Sequence, residues 1–182
     1  MSENAVNTST GPGSGPGLST FPPVSWAWLV LSAVIIALDL HTKQLASDNL
    51  VLYRPQEVFS WLNMTLAHNY GAAFSFLSDA GGWQRWFFTI LASTVSLVLL
   101  VWLIRLPRKD WLTALGLAMI LGGAIGNLVD RIRLGYVVDF IDFHIGDWHY
   151  PAFNVADSAI TCGVILLLLD VLLVSLRSKK EA

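Results

Sequence analysis

Four stretches of this chain are each apolar for about twenty residues, the length that carries a helix across a bilayer's hydrocarbon core at 1.5 Å per residue. They lie at 26–45, 86–104, 111–129 and 158–176, and the middle two contain no charged residue. The first carries Asp39 and Lys43 near its far end, and the fourth carries Asp170. Inside lipid a segment must satisfy its own backbone N–H and C=O groups, so the pattern predicts four transmembrane helices. Trp26, Trp83, Trp86, Trp102 and Trp111 stand at span edges, at the headgroup depth an amphipathic ring prefers.

Composition narrows the function classes. Of 182 residues, 54% are hydrophobic and 13% charged, about half the ~25% charged residues of soluble domains. That excludes disorder for most of the chain. A single cysteine, Cys162, excludes a disulfide-stapled scaffold. A net charge of −2 gives nucleic acid no electrostatic hold.

Basic residues orient the spans, because lysines and arginines accumulate on cytoplasmic links. Arg105, Arg108 and Lys109 crowd the short link between spans two and three, and Arg177, Lys179 and Lys180 mark the C-terminal tail. The long links carry fewer: Arg54 and Arg85 in one, Arg131 and Arg133 in the other. Both termini are therefore expected in the cytoplasm and both long links outside. Residues 1–24, rich in Gly, Ser, Thr and Pro, read as a flexible cytoplasmic tail. Residues 25–176 read as one membrane domain, and 177–182 as a second cytoplasmic tail. The first span lacks a basic preceding region and a small-residue cleavage site, so it reads as a retained span.

In the first long link, about 46–85, Leu62, Met64, Leu66 and His68 alternate with Asn63, Thr65, Ala67 and Asn69, the period of a half-buried strand. Gly71 and the pair Gly81-Gly82 punctuate it. The expected fold is an all-α membrane protein with four transmembrane helices, a small external β region there, and an interfacial helix or turn near Trp83.

Ionisable groups at membrane depth mark functional sites. Asp39 and Lys43, spaced i, i+4, share a helix face and can pair; a structural ion pair and a site-supporting pair both fit that spacing. Asp170 lies 13 residues beyond Asp157, roughly 20 Å along the helix, and is expected on the cytoplasmic side near a basic residue such as Arg105. Gly122 and Gly126 in span three form a small-xxx-small pattern that lets helices approach closely. Asn127, Asp130 and Arg131 follow on one face, as a polar cluster or as a solvated interfacial cap.

Two more acids meet this boundary. Asp139 sits in the apolar run Val137-Val138-Asp139-Phe140-Ile141, and Asp157 opens span four after Phe153-Asn154-Val155-Ala156. Two carboxylates meeting in a partly dry site cannot easily both ionise, which supplies an acid and a base at neutral pH. One can then activate water while the other polarises a carbonyl. The helix dipole favours Asp157 as the charged partner. An aspartate at a helix start can equally be a simple N-cap.

With these residues in place the chain resembles the bacterial lipoprotein signal peptidase (signal peptidase II) family, over about residues 26 to 176. Four blocks carry the resemblance: Asp39 with Lys43; Asn69-Tyr70-Gly71-Ala72-Ala73-Phe74-Ser75; Gly122 to Arg131; and Val138-Asp139-Phe140 with Phe153-Asn154-Val155-Ala156-Asp157-Ser158. The resemblance implies an aspartic endopeptidase of the bacterial inner membrane, active at its outer face. It would cut prolipoproteins before a diacylglyceryl-modified cysteine. Asp139 and Asp157 would be the catalytic pair. Asn69, Asn127, Arg131 and Asn154 would line the site and orient its partners, with Asp39, Lys43, Gly71 and Asp130 in support. Asp130 is expected to hold Arg131 or a nearby backbone group. The partners implied are the signal peptide with its lipid-modified cysteine and membrane lipid; a monomer without cofactor or metal is expected.

Other chemistries fit less well. His144 and His149 with Asp142 and Asp147 form a loose cluster without a His-Glu-x-x-His motif. Cys162 lies among apolar residues with no histidine at helical spacing. A small transporter or non-catalytic assembly factor is the alternative, but its polar residues would line the midplane. Here they crowd one boundary.

Overall fold

The computed structural model describes residues 24–71 and 83–181. Along them run α1 (Val24–Asn49), β1 (Gln56–Phe59), β2 (Leu62–Asn69), α2 (Trp83–Arg105), α3 (Trp111–Arg133), β3 (Val137–Ile145), β4 (Trp148–His149) and α4 (Val155–Glu181). All four helices are long and apolar enough to cross a membrane. The tail before residue 24, the stretch Ala72-Ala73-Phe74-Ser75 and the Gly81-Gly82 pair lie outside the described residues.

Each helix runs past its hydropathy window: α1 continues to Asn49, α3 to Arg133, and α4 begins at Val155. A window stops where polar residues begin. The helix continues because those residues bond locally along it, as Ser47 and Asn49 do to the Lys43 and Leu45 carbonyls, or reach partners inside the bundle, as Asp130 and Asp157 do. Large apolar side chains such as Val30, Ile90, Val98, Leu168 and Val171 cover the outside, as lipid-facing surfaces require.

Helix α3 packs against each of the other three. Its buried face includes Ala114, Leu117, Ala118 and Leu121, which meet Leu99 and Leu103 of α2 in one core cluster. Small residues continue this face toward Asn127 and Asp130. At Gly126 an added Cβ would stand 2.5 Å from Asp39 Oδ2, so glycine lets α1 press a carboxylate against α3. Gly126→Ala is expected to cost about 1–3 kcal/mol, the usual range for overpacking. A lowered unfolding midpoint in detergent would register it; an unchanged midpoint would refute the close-approach requirement.

The sheet draws on both long links. Its order is β1-β2-β3-β4, all pairs antiparallel, and the β2–β3 register sets Ala67 opposite Asp139 and Asn69 opposite Val137. The strand expected in 46–85 is present, but it is only part of the sheet. Residues 137–145 showed no alternation because Val137, Val138, Asp139 and Phe140 are buried in succession, and a strand covered on both faces has no period of two to read. Leu66, Val138 and Phe140 rest on Ala46 at the end of α1. The C-terminal ends of α1 and α3 and the N-terminal ends of α2 and α4 thus gather at the sheet.

Candidate active site

Helix α4 begins with a reciprocal cap. Asn154 Oδ1 accepts the Asp157 N–H at 2.9 Å, and the Asn154 N–H donates to Asp157 Oδ2 at 3.2 Å, the exchange that closes a first helical turn. Asn154, not Asp157, therefore takes the N-cap position. The Ala156 N–H donates to Asp39 Oδ1 at 2.8 Å, so α1 satisfies another free donor of this helix end. Asp157 keeps its other oxygen for Asn127 Nδ2, which donates to Oδ1 at 2.8 Å.

Asp139 projects from β3 and is 2% exposed. Asn69 Nδ2 donates to its Oδ2 at 3.0 Å and Asn154 Nδ2 to its Oδ1 at 2.7 Å. Asn154 is wholly buried and touches both acids, tying the strand to the start of α4. Burial, reinforced by the charge of Asp157, pushes Asp139 up to about 7 against the opposing pull of Asn69, Asn154 and Lys43. The carboxyl can thus hold a proton near neutrality, which suits a general acid.

Lys43 is the hub behind the acids. Its ammonium lies 2.7 Å from Asp39 Oδ2 and 3.0 Å from Asp130 Oδ2, and it donates to Asn127 Oδ1 at 2.8 Å. These three acceptors match its three donors. The i, i+4 pair is therefore both a helix lock and a support: Lys43 at 2.8 Å and Asn154 Nδ2 at 3.2 Å both donate to Asn127 Oδ1, so that Nδ2 faces Asp157. Asp130 also accepts the Val138 N–H at 3.2 Å, fixing β3 beside Asp139. It holds Lys43 and this backbone group, and its partner is not Arg131.

Arg131 Nη1 reaches Asn127 O at 3.4 Å, and its guanidinium carbon stands 5.7 Å from the Phe88 ring centroid. Its charge acts on both Asp157 and Asp139. Gly71, with φ +110, gives its N–H to Asn69 Oδ1 at 2.9 Å. Every residue singled out by sequence for the site is thus in this network.

Other assignments change. Asp170 accepts a hydrogen bond from the Thr113 hydroxyl on α3; a neutral donor on the neighbouring helix takes the place expected for Arg105. Asp142 belongs to a separate cluster on the sheet, bonded to His149 at 2.7 Å, Asn63 at 3.2 Å and Thr65 at 3.1 Å. Burial opposes its charge, but these bonds outweigh it and hold Asp142 below the usual carboxylate range. Sequence reasoning missed Arg85, which donates to Arg131 O at 3.1 Å and Ile132 O at 2.6 Å. A cation there satisfies the carbonyl end of α3. Its signal was a lone arginine between the interfacial tryptophans Trp83 and Trp86.

From Asp157 a groove of about 320 Å³ runs along α4, lined by Tyr150, Phe153, Ser158, Thr161 and Cys162. Two carboxyls tied together by Asn154 beside a groove, one of them pushed up to about 7 by burial, suit acid–base hydrolysis of a bound acyl compound.

Comparison with known proteins gives consistent matches. A family model described as signal peptidase (SPase) II matches residues 31–173. The lipoprotein signal peptidase of Acinetobacter baumannii (strain ATCC 17978) is 54% identical over 166 residues, covering 91% of this chain and 94% of that protein. The lipoprotein signal peptidase of Teredinibacter turnerae is 53% identical, covering 79% and 85%. A solved bacterial membrane enzyme superposes with a TM-score of 0.72 at 30% identity, covering 81% of this chain and 88% of that one.

Proposed function

This chain belongs to the signal peptidase II family, and from that premise we propose that Asp139 and Asp157 are its catalytic pair. It is a membrane peptidase that processes lipoproteins by removing their signal peptides. The observation that carries the aspartic mechanism is the tie through Asn154, which holds one carboxyl on β3 and one on α4. Asp139, pushed up to about 7, gives its proton to the scissile carbonyl oxygen. Asp157 takes a proton from water, whose oxygen attacks the carbonyl carbon. A proton then passes to the amide nitrogen and the C–N bond breaks, leaving a carboxylic acid and an amine.

Asn69, Asn127 and Asn154 hold the two carboxyls in register, Lys43 with Asp39 and Asp130 braces them from behind, and Arg131 supplies positive charge beside them. The sheet end faces outward and both termini face the cytoplasm. The basic link at Arg105, Arg108 and Lys109 supports this orientation, since it lies at the opposite end from the sheet. Acid chemistry at the outer boundary suits a bond where an apolar signal helix reaches the headgroups.

The substrate carries a diacylglyceryl group on the cysteine after the cut, and its chains remain in lipid. The α4 groove, with Cys162 exposed at its edge, supports entry from the bilayer without a channel. A transporter is disfavoured because the polar groups form one end cluster and the 86–104 stretch has no charge. The described groups of the site all come from one chain, which supports a monomer.

Cleavage of a lipid-modified precursor beside its unmodified counterpart tests the substrate. The modified form is expected to react at least about tenfold faster in kcat/KM, since losing an apolar substrate contact in a fitted pocket costs ~1–3 kcal/mol. Equal rates would overturn the lipid requirement.

A further inference from the structure

We propose that Phe88 is a positioning residue for this site: its ring holds both the Arg131 guanidinium and the backbone turn at Gly71 that orients Asn69. The inference rests on the catalytic reading of Asp139 and Asp157. Phe88 follows Arg85 by three residues, so both lie on one face of α2, and both engage the end of α3. Arg85 fixes the Arg131 and Ile132 carbonyls. The Phe88 ring receives the Arg131 side chain at 5.7 Å, within the range of a cation–π contact.

The second contact is with Gly71. A Cβ there would overlap the Phe88 ring, so the ring packs directly on the Gly71 backbone, whose φ of +110 itself requires glycine. The consequence reaches Asp139 through an amide. Asn69 can present oxygen or nitrogen toward the acid. The Gly71 N–H takes its oxygen at 2.9 Å, which leaves Nδ2 to donate to Asp139 at 3.0 Å. One ring thus sets a cation and a hydrogen-bond donor around the same carboxyl. It also gives α2, whose described polar link to the site is Arg85, a direct part in site geometry.

Phe88 is only half-buried and meets Phe87 edge-on at 5.2 Å, so simple packing is the rival role. The two roles separate in kinetics. The charged groups acting on Asp139 are Asp157 from α4, Arg131 from α3 and Lys43 from α1. Loosening Arg131 or turning Asn69 weakens support for the anion, so protonation of Asp139 shifts to higher pH.

The experiment uses the full-length enzyme in bilayers with a lipid-modified precursor, comparing Phe88→Leu, Phe88→Trp and a trifluorinated phenylalanine at position 88. The leucine variant is expected to lose about tenfold in kcat, the size of a partly desolvated cation–π contact, with KM little changed and the alkaline limb moved upward. Tryptophan should restore kcat. The fluorinated ring keeps the shape but weakens the face, so it should lower kcat even if the leucine variant fails to fold. Unchanged kcat and pH limb with the fluorinated ring would overturn the proposal. Asp139→Asn is measured in parallel: if it retains turnover the catalytic reading fails, whereas an inactive Asp139→Asn beside an unaffected fluorinated enzyme removes only the role of Phe88.

Discussion

Asparagine in place of Asp139 or Asp157 is expected to lower turnover by about a thousandfold or more while the lipid-modified precursor still binds. Proton transfer by a positioned group contributes ~10²–10⁴-fold, and each variant removes one of the two transfers. Asn69, Asn154 and Asn127 already offer donors to these carboxyls, so a new amide NH2 would also face one of them. The pH profile adds a sign. Asp139, pushed up to about 7 by burial and by Asp157, is protonated below that pH and loses its proton above it. Activity that needs the protonated form declines as pH rises through about 7. Asn69→Ala removes a bond that favours the anion, so the same decline should occur at higher pH. Retention of more than a tenth of wild-type turnover by Asp139→Asn, or a decline unmoved in Asn69→Ala, would contradict the assignment.

The second large effect concerns Lys43. Lys43→Met leaves Asp39 and Asp130 buried and facing one another without the ammonium 2.7 and 3.0 Å away. Removing one partner of a buried ion pair costs about 3–5 kcal/mol. The expected result is a large drop in the unfolding midpoint in detergent, with turnover falling too, because Asn127 Oδ1 loses the closer of its two donors and keeps only Asn154 Nδ2 at 3.2 Å. Asp39→Asn combined with Lys43→Met should recover part of the stability, since the asparagine oxygen can still accept the Ala156 N–H. A loss below about 1 kcal/mol in the single variant would show that the hub is dispensable.

The membrane body was legible because twenty apolar residues in lipid leave the backbone little choice. The charged residues were legible for the opposite reason: Asp139 in an apolar run and Lys43 near the end of a span are costly there and need a partner. What spacing could not supply was which partner. Asp39 and Lys43 read as a local pair, yet the ammonium also reaches Asn127 and Asp130, 84 and 87 residues away in sequence. Asp170 needed a partner, and that partner is the Thr113 hydroxyl. The sheet was half visible because β2 is covered unevenly and β3 is buried on both faces. The proposed pairing of Asp139 with Asp157 was suggested by two acids at one boundary and favoured by the resemblance; residue spacing alone left an N-cap open, and Asn154 holds that position.

The bond from the Ala156 N–H to Asp39 crosses 117 residues, joining the first helix of the bundle to the last. A chain made and inserted from its N-terminus therefore carries Asp39, Lys43, Asn69 and even Asp139 for some time without the strand-to-helix tie that Asn154 completes. Only when α4 enters and its first turn is received by Asp39 do the two acids share a site. On the proposed pairing of Asp139 with Asp157, proteolytic competence comes last, once α4 has entered the bundle.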